Sequence, residues 1–263
     1  MAGSEDFEIA GGSIVGKDHL FSRKNNQDAY AFWQDEDHIV GIVADGCGSS
    51  PYSEWGARYG VNMLMNNIKH GIGSYRYFPN RNVEMFLPQI SYLKYDMDRM
   101  ISSMANTSQD KIIEDHLLFT LMGFIVAPEE TIVFAIGDGV YIVNGNPVTV
   151  SFKGNAPLYL AYSLLPWYKE NMNFKILHTI PTEELQTLIV GTDGLTDFTP
   201  EDPVDQFVEQ DKYFKNPDAI RRKLFLLNQT RYNVDWDNRT FDVNNGLLSD
   251  DTTLIALRRK KIV

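Results

Sequence analysis

The chain reads as an α+β protein, a four-layer α-β-β-α sandwich in which two mostly antiparallel sheets are flanked by helix pairs. Three observations lead there. Apolar runs rich in Val and Ile end abruptly in an acid and a glycine at residues 39–50, 132–139 and 188–194, the pattern of buried strands that deliver a side chain at a sheet edge. Two stretches, 51–69 and about 83–104, switch to the helical period. No repeat, low-complexity linker or composition break divides the 263 residues, so residues 1–263 are expected to form one domain.

Taken in order, residues 7–15 alternate loosely and predict a first strand, followed by a polar turn through Lys24. Residues 23–33 predict a polar loop feeding a second strand, paired through a turn at 34–37 with the strand that ends at Asp45. Trp55, Tyr59, Met63 and Leu64 share one face of the first helix, which Gly71-Ile72-Gly73 is expected to stop. Phe86, Leu87, Ile90, Leu93, Met97 and Ile101 give the second helix its apolar face. After a polar break at 108–115, strands at 117–126, 131–136, 140–143 and 148–151 read as an antiparallel meander. Residues 155–172 are irregular and predict a flap over a site. Strands at 174–180 and 188–192, helices at 203–209 and 218–227, a polar loop and a strand at 252–257 complete the order.

Composition narrows the function. A formal net charge of −11 argues against a nucleic-acid or acidic-membrane partner, since both require a basic face. The basic cluster Arg258-Arg259-Lys260-Lys261 is expected to be a short solvated tail. One cysteine excludes an internal disulfide, no apolar stretch reaches membrane length, and the first residues lack the basic start and apolar core of a signal peptide. A cytoplasmic protein is the expectation.

The chemistry gathers on carboxylates. Asp28, Asp45, Asp138, Asp193, Asp197, Asp250 and Asp251 fall at strand ends or in the turns that follow. Hard oxygen donors without Cys or His clusters select Mg²⁺ or Mn²⁺. The five histidines show no metal spacing and are expected at the surface or in the core. Asp-Gly and Gly-Asp pairs also serve as plain turns, so spacing alone leaves both readings open.

Five motifs tip the balance. Arg23-x-x-x-Gln27-Asp28-Ala29, Val43-Ala44-Asp45-Gly46-Cys47-Gly48, Ile136-Gly137-Asp138, Gly191-Thr192-Asp193-Gly194-Leu195-Thr196-Asp197 and Asp250-Asp251-Thr252-Thr253-Leu254-Ile255 resemble, in order, those of the type 2C metal-dependent serine/threonine protein phosphatases. The resemblance implies a β-sandwich flanked by helices with the site at one end. It implies Asp45 bridging two ions, the Gly46 carbonyl on one of them, Asp193 and Asp250 on the second, and Asp28 acting through water. It implies Asp138 and Asp197 on a looser third ion, Arg23 gripping phosphate, and catalysis carried by Asp45, Asp193 and Arg23. Mn²⁺ or Mg²⁺ would lower the pKa of a shared water and aim it at phosphorus.

Two positions depart from the family. Gln27 replaces the usual glutamate and removes a charge, so Gln27→Glu is expected to tighten Mn²⁺ binding. Cys47 stands where some members carry a histidine proposed to protonate the leaving oxygen, and it is expected to be a small residue in a tight turn. Without histidine there, that proton must come from water or another acid. The resemblance implies hydrolysis of phosphoserine or phosphothreonine in phosphoprotein substrates. A weak family member that binds a partner and a phosphatase for small phosphorylated metabolites are the alternatives.

Overall fold

The computed structural model describes residues 3–75, 87–104, 107–154, 156–168 and 172–261. Twelve strands and seven helices lie among the described residues. The strands are β1 (Phe7–Ile14), β2 (Ala29–Gln34), β3 (Ile39–Gly46), β4 (Phe119–Val126), β5 (Glu130–Ile136) and β6 (Gly139–Val143), then β7 (Asn146–Val150), β8 (Lys175–Pro181), β9 (Thr187–Gly191), β10 (Arg231–Asp235), β11 (Thr240–Asn244) and β12 (Thr252–Arg259). The helices are α1 (Lys17–Ser22), α2 (Ser53–Tyr75), α3 (Leu87–Ser103), α4 (Gln109–His116), α5 (Gln206–Glu209), α6 (Lys212–Lys215) and α7 (Ala219–Leu227). One sheet runs β1-β12-β9-β6-β7, the other β2-β3-β4-β5-β8, and β10 and β11 pair only with each other. Every pairing is antiparallel.

The period of two explains the layers. In β3, Ile39 and Val43 join Phe7, Met122, Phe124, Val190, Ile255 and Leu257 in a core between the sheets. Val40, Ile42 and Ala44 face the other way, against Leu64, Ile68, Leu93 and Met97 of α2 and α3. On the far side, Ile142, Ile189, Leu254 and Ala256 meet Phe207, Tyr213, Ile220 and Leu224 of α5 to α7. Three cores between four layers match the expected α+β sandwich, and each fully buried apolar side chain contributes about 1.5–3 kcal/mol.

Several expected elements differ. The meander fails between β5 and β6, which lie in different sheets. The chain crosses from one to the other at Gly137-Asp138-Gly139, where both glycines take positive φ, 93° and 142°, a conformation that strongly favours a residue without Cβ. Helix α2 continues through Gly71-Ile72-Gly73 to Tyr75, because Ile72 is buried in the helix-side core and burial outweighs a glycine penalty of about 1 kcal/mol. The polar break at 108–115 folds as α4, whose Ile112 and Ile113 are buried while Glu114 is exposed and Asp110 and Asp115 are half-buried. The polar turn after β1 contains α1, and the Asn/Asp-rich loop holds the β10–β11 hairpin. The segment 83–86 of the expected second helix, Phe86 included, lies outside the described residues.

The basic tail is also corrected. Arg258 and Arg259 are strand residues of β12. The Arg258 guanidinium is buried, 2.7 Å from Glu8 and 2.8 Å from Asp211, and stacks 4.3 Å over Phe214. Of the expected flap, Asn155 and residues 169–171 lie outside the described residues, while Leu160, Ala161, Leu165 and Met172 are built into the helix-side core. No helix among the described residues is long and apolar enough to cross a membrane.

Candidate active site

The inter-sheet rows of apolar side chains end in polar ones at the same end of the sandwich. Along β3 the row Ile39, Gly41, Val43 continues to Asp45, and along β12 the row Leu257, Ile255 continues to Thr253 and Asp251. The row of β9 continues from Val190 to Thr192, and that of β4 from Met122 to Thr120. Asp138 sits in the crossing between the sheets, so strand alternation and the sheet switch together gather acids that are far apart in sequence.

These ends wall a cavity of about 260 Å³. Asp45, Asp138, Asp193 and Asp250 contribute carboxylates, with Thr120 beside them. The turn from Gly46 to Ser49 forms one lip, His19 of α1 another, and Pro157 and Tyr159 of the expected flap a third. Leu160, Ala161 and Leu165, which follow these two residues, are buried in the helix-side core.

A hydrogen-bond frame fixes the acids. Thr192 Oγ1 donates to Asp28 Oδ2 at 2.8 Å and accepts from the Thr253 amide at 3.1 Å. Asp251 is an anchor: its carboxylate accepts from the Gly16 amide at 2.7 Å and the Gln27 amide at 2.6 Å, and it lies 2.9 Å from His19 Nδ1. This ties α1 and the segment before β2 to the start of β12. Gly16 permits it, since a Cβ there would lie 2.2 Å from the Asp250 carbonyl carbon. Buried Asp28 Oδ1 and Asp193 Oδ1 have no hydrogen-bond partner among the described residues.

Crowding sets the electrostatics. Burial, then the charges of Asp28, Asp193, Asp250 and Asp138, push Asp45 well above the usual carboxylate range. Asp28 is also pushed well up, by burial first and then by Asp251. Asp193 rises to about 6 through burial and the charges of Asp250 and Asp138. Burial pushes Asp138 up, against a hydrogen bond from Thr120. A carboxylate cluster of this kind fits a divalent cation: the donors are hard oxygens, two of them buried without a partner, and positive charge relieves their mutual repulsion.

The structure brings together Asp45, Gly46, Asp138, Asp193 and Asp250 around the cavity, with buried Asp28 behind them. Asp197 and Arg23 are not among the cavity-wall residues. Asp197 accepts hydrogen bonds from the Ser249 amide at 2.6 Å and hydroxyl at 2.5 Å, so it braces the turn before Asp250. Arg23 caps α1 in the left-handed conformation, φ 58°, with its side chain exposed. The neighbouring cation Lys24 reaches the Gly48 carbonyl at 2.6 Å instead. Gln27 is buried and its amide donates to the Ser50 carbonyl and Ser53 hydroxyl.

Sequence reasoning missed His19, which lines the cavity rather than lying idle at the surface or in the core. Its only available signal was its place between the Gly16 turn and the Gln27-Asp28 motif. Cys47 is half-buried in the cavity wall. Burial pushes its thiol up, but hydrogen bonds with Ser49 and Tyr159 outweigh that and the net shift is downward.

The family model described as Protein phosphatase 2C matches residues 15–224, most of the chain. The protein belongs to the protein phosphatase 2C family. A bacterial serine phosphatase superposes with a TM-score of 0.61 at 11% identity, over 98% of this chain and 99% of that one. The Staphylococcus aureus serine/threonine phosphatase gives 0.59 at 11% identity, over 97% and 96%. That of S. agalactiae gives 0.57 at 13% identity, over 97% and 100%. At such identities the likeness is one of fold. No curated protein sequence matches the chain significantly.

Proposed function

We propose that this protein is a metal-dependent phosphatase of phosphoserine and phosphothreonine in proteins. The observation that carries the reading is the convergence of Asp45, Asp138, Asp193 and Asp250 on one cavity, in a chain of the 2C family. Asp45, the Gly46 carbonyl, Asp193 and Asp250 would hold two Mn²⁺ or Mg²⁺ ions, with Asp28 acting through water and Asp138 available to a third. Asp197 serves this set as a brace on the Ser249–Asp250 turn. The ions, when bound, supply a low-pKa water and offset phosphate charge.

The chain's own residues do the rest. Thr192, itself held by the Thr253 amide, holds Asp28, and Asp251 holds the α1 and Gln27 backbones, so the acids need little reordering when substrate arrives. The Gly46–Ser49 turn and the Pro157–Tyr159 wall leave the cavity open to a phosphorylated side chain. Lys24, at the Gly48 lip, supplies positive charge near the entrance.

A single assay tests this. Phosphate release is measured from phosphoserine and phosphothreonine peptides, an aryl phosphate and sugar phosphates, with and without Mn²⁺, for wild type and Asp193→Asn. Metal-dependent turnover of the peptides, lost in the variant, is expected. Turnover of sugar phosphates but no peptide would make it a metabolite phosphatase, and no metal-dependent turnover at all would leave a partner-binding role.

A further inference from the structure

Hydrolysis of a seryl phosphate expels an alkoxide, which leaves slowly unless a proton reaches it as the bond breaks. Cys47 does not answer that need in the way an imidazole would, and His19 brings an imidazole to the cavity lip. His19 stands on the turn after β1, its side chain 13% exposed, with Nδ1 2.9 Å from the buried carboxylate of Asp251. That approach holds the ring beside Asp251 as an ion pair, its geometry short of a hydrogen bond. The opposite nitrogen, Nε2, lies 3.9 Å from where a Cβ on Gly48 would sit, at the cavity lip. Gln27 Oε1 lies 4.0 Å from that position, buried behind the cavity wall and without a hydrogen-bond partner among the described residues. Asp250 is a third neighbour, its carboxylate within 4.8 Å of the His19 and Asp251 ligand atoms. The imidazole thus stands at the Gly48 lip, beside Lys24.

We propose that His19 is the proton donor to the leaving oxygen. The inference rests on the phosphatase reading above. As water-derived hydroxide forms the new P–O bond, the bond from phosphorus to the seryl oxygen breaks and its electron pair passes to that oxygen. The oxygen takes the Nε2 proton, leaving serine, phosphate and a neutral ring that regains its proton from solvent. Gly48, without a side chain, leaves room for the seryl group between the turn and the ring.

The experiment compares His19→Gln with wild type on a phosphoserine peptide and on a p-nitrophenyl phosphate ester, whose leaving group needs no proton, with Mn²⁺ affinity measured in parallel by calorimetry. The variant is expected to lose ~10²-fold in kcat on the peptide and less than about tenfold on the aryl ester, with Mn²⁺ affinity retained. Equal losses on both substrates, or weakened Mn²⁺ binding, would make His19 a cation ligand or a structural residue and overturn the proposal. No loss on either overturns it as well. Should the variant not fold, wild type decides: a rate nearly independent of leaving-group pKa across a series of aryl phosphates supports the donor, and a steep dependence refutes it. If wild type releases phosphate from no substrate, the phosphatase reading falls, and this inference with it.

Discussion

Asp193 shows how a side chain can oppose the fold and serve the site. Its carboxyl stands at about 6 because burial and the charges of Asp250 and Asp138 disfavour ionisation. Asp193→Asn removes the charge that those two repel, so the metal-free variant is expected to melt higher than wild type, by about 2–4 °C for each kcal/mol of repulsion relieved, while its melting point no longer responds to Mn²⁺. A lower metal-free melting point would mean that Asp193 holds the fold together. Gln27 carries the opposite lesson. Both amide hydrogens are committed, to the Ser50 carbonyl at 3.1 Å and the Ser53 hydroxyl at 2.8 Å. Gln27→Glu replaces these donors with acceptors and adds charge to a crowded cluster. It is expected to destabilise the metal-free protein by about 1–3 kcal/mol in urea melts, a cost that the sequence-based expectation of tighter Mn²⁺ binding leaves out.

Among the elements, β12 carries both chemistry and support. Its first residues follow the Asp250–Asp251 pair, and its end inserts Arg258 between Glu8 and Asp211. Arg258→Ala removes that pairing and the stacking on Phe214, and is expected to cost about 2–3 kcal/mol, whereas Lys260→Ala should change little. Equal, negligible effects in denaturant melts would return both residues to a solvated tail. Strands with strong period, such as β3, β9 and β12, were legible from sequence because apolar content and alternation agree there. Helices α1 and α4 and the β10–β11 hairpin were not, since they are short, polar and supported by contacts from distant parts of the chain: the Lys17 amide, for instance, donates to the Leu248 carbonyl. Arg258 was misread for a related reason, because a basic run carries no sign of the partners waiting at Glu8 and Asp211.

At the scale of the whole molecule, the sandwich places one end of its inter-sheet core under electrostatic load. Asp193 has a folded pKa of about 6 against an ordinary 3.8. Between those values the folded state keeps a proton that the unfolded chain has released, so stability falls as pH rises through that window. Asp45 and Asp28 shift in the same direction. The ion pairs that hold Asp218 at about 2 are lost only in stronger acid, outside the window. The metal-free protein is therefore expected to melt higher at pH 5 than at pH 7.5, and Mn²⁺ to raise the melting point more at pH 7.5. The acids of this site were legible as ordered motifs, but their grouping was not, because it depends on the crossing at Gly137–Gly139 and on which strand rows end together. Arg23, well placed in sequence, caps the end of α1 outside the cavity wall, while His19, on the turn of α1 tied to Asp251, stands in it. The central claim, that the cavity is a divalent-cation site built on Asp45, is tested most directly by calorimetric titration of Mn²⁺ into wild type and Asp45→Asn at pH 7.5. The account predicts at least two ions bound per wild-type chain and binding abolished or reduced to a single weak ion in the variant; identical isotherms, or no binding by wild type, would contradict it.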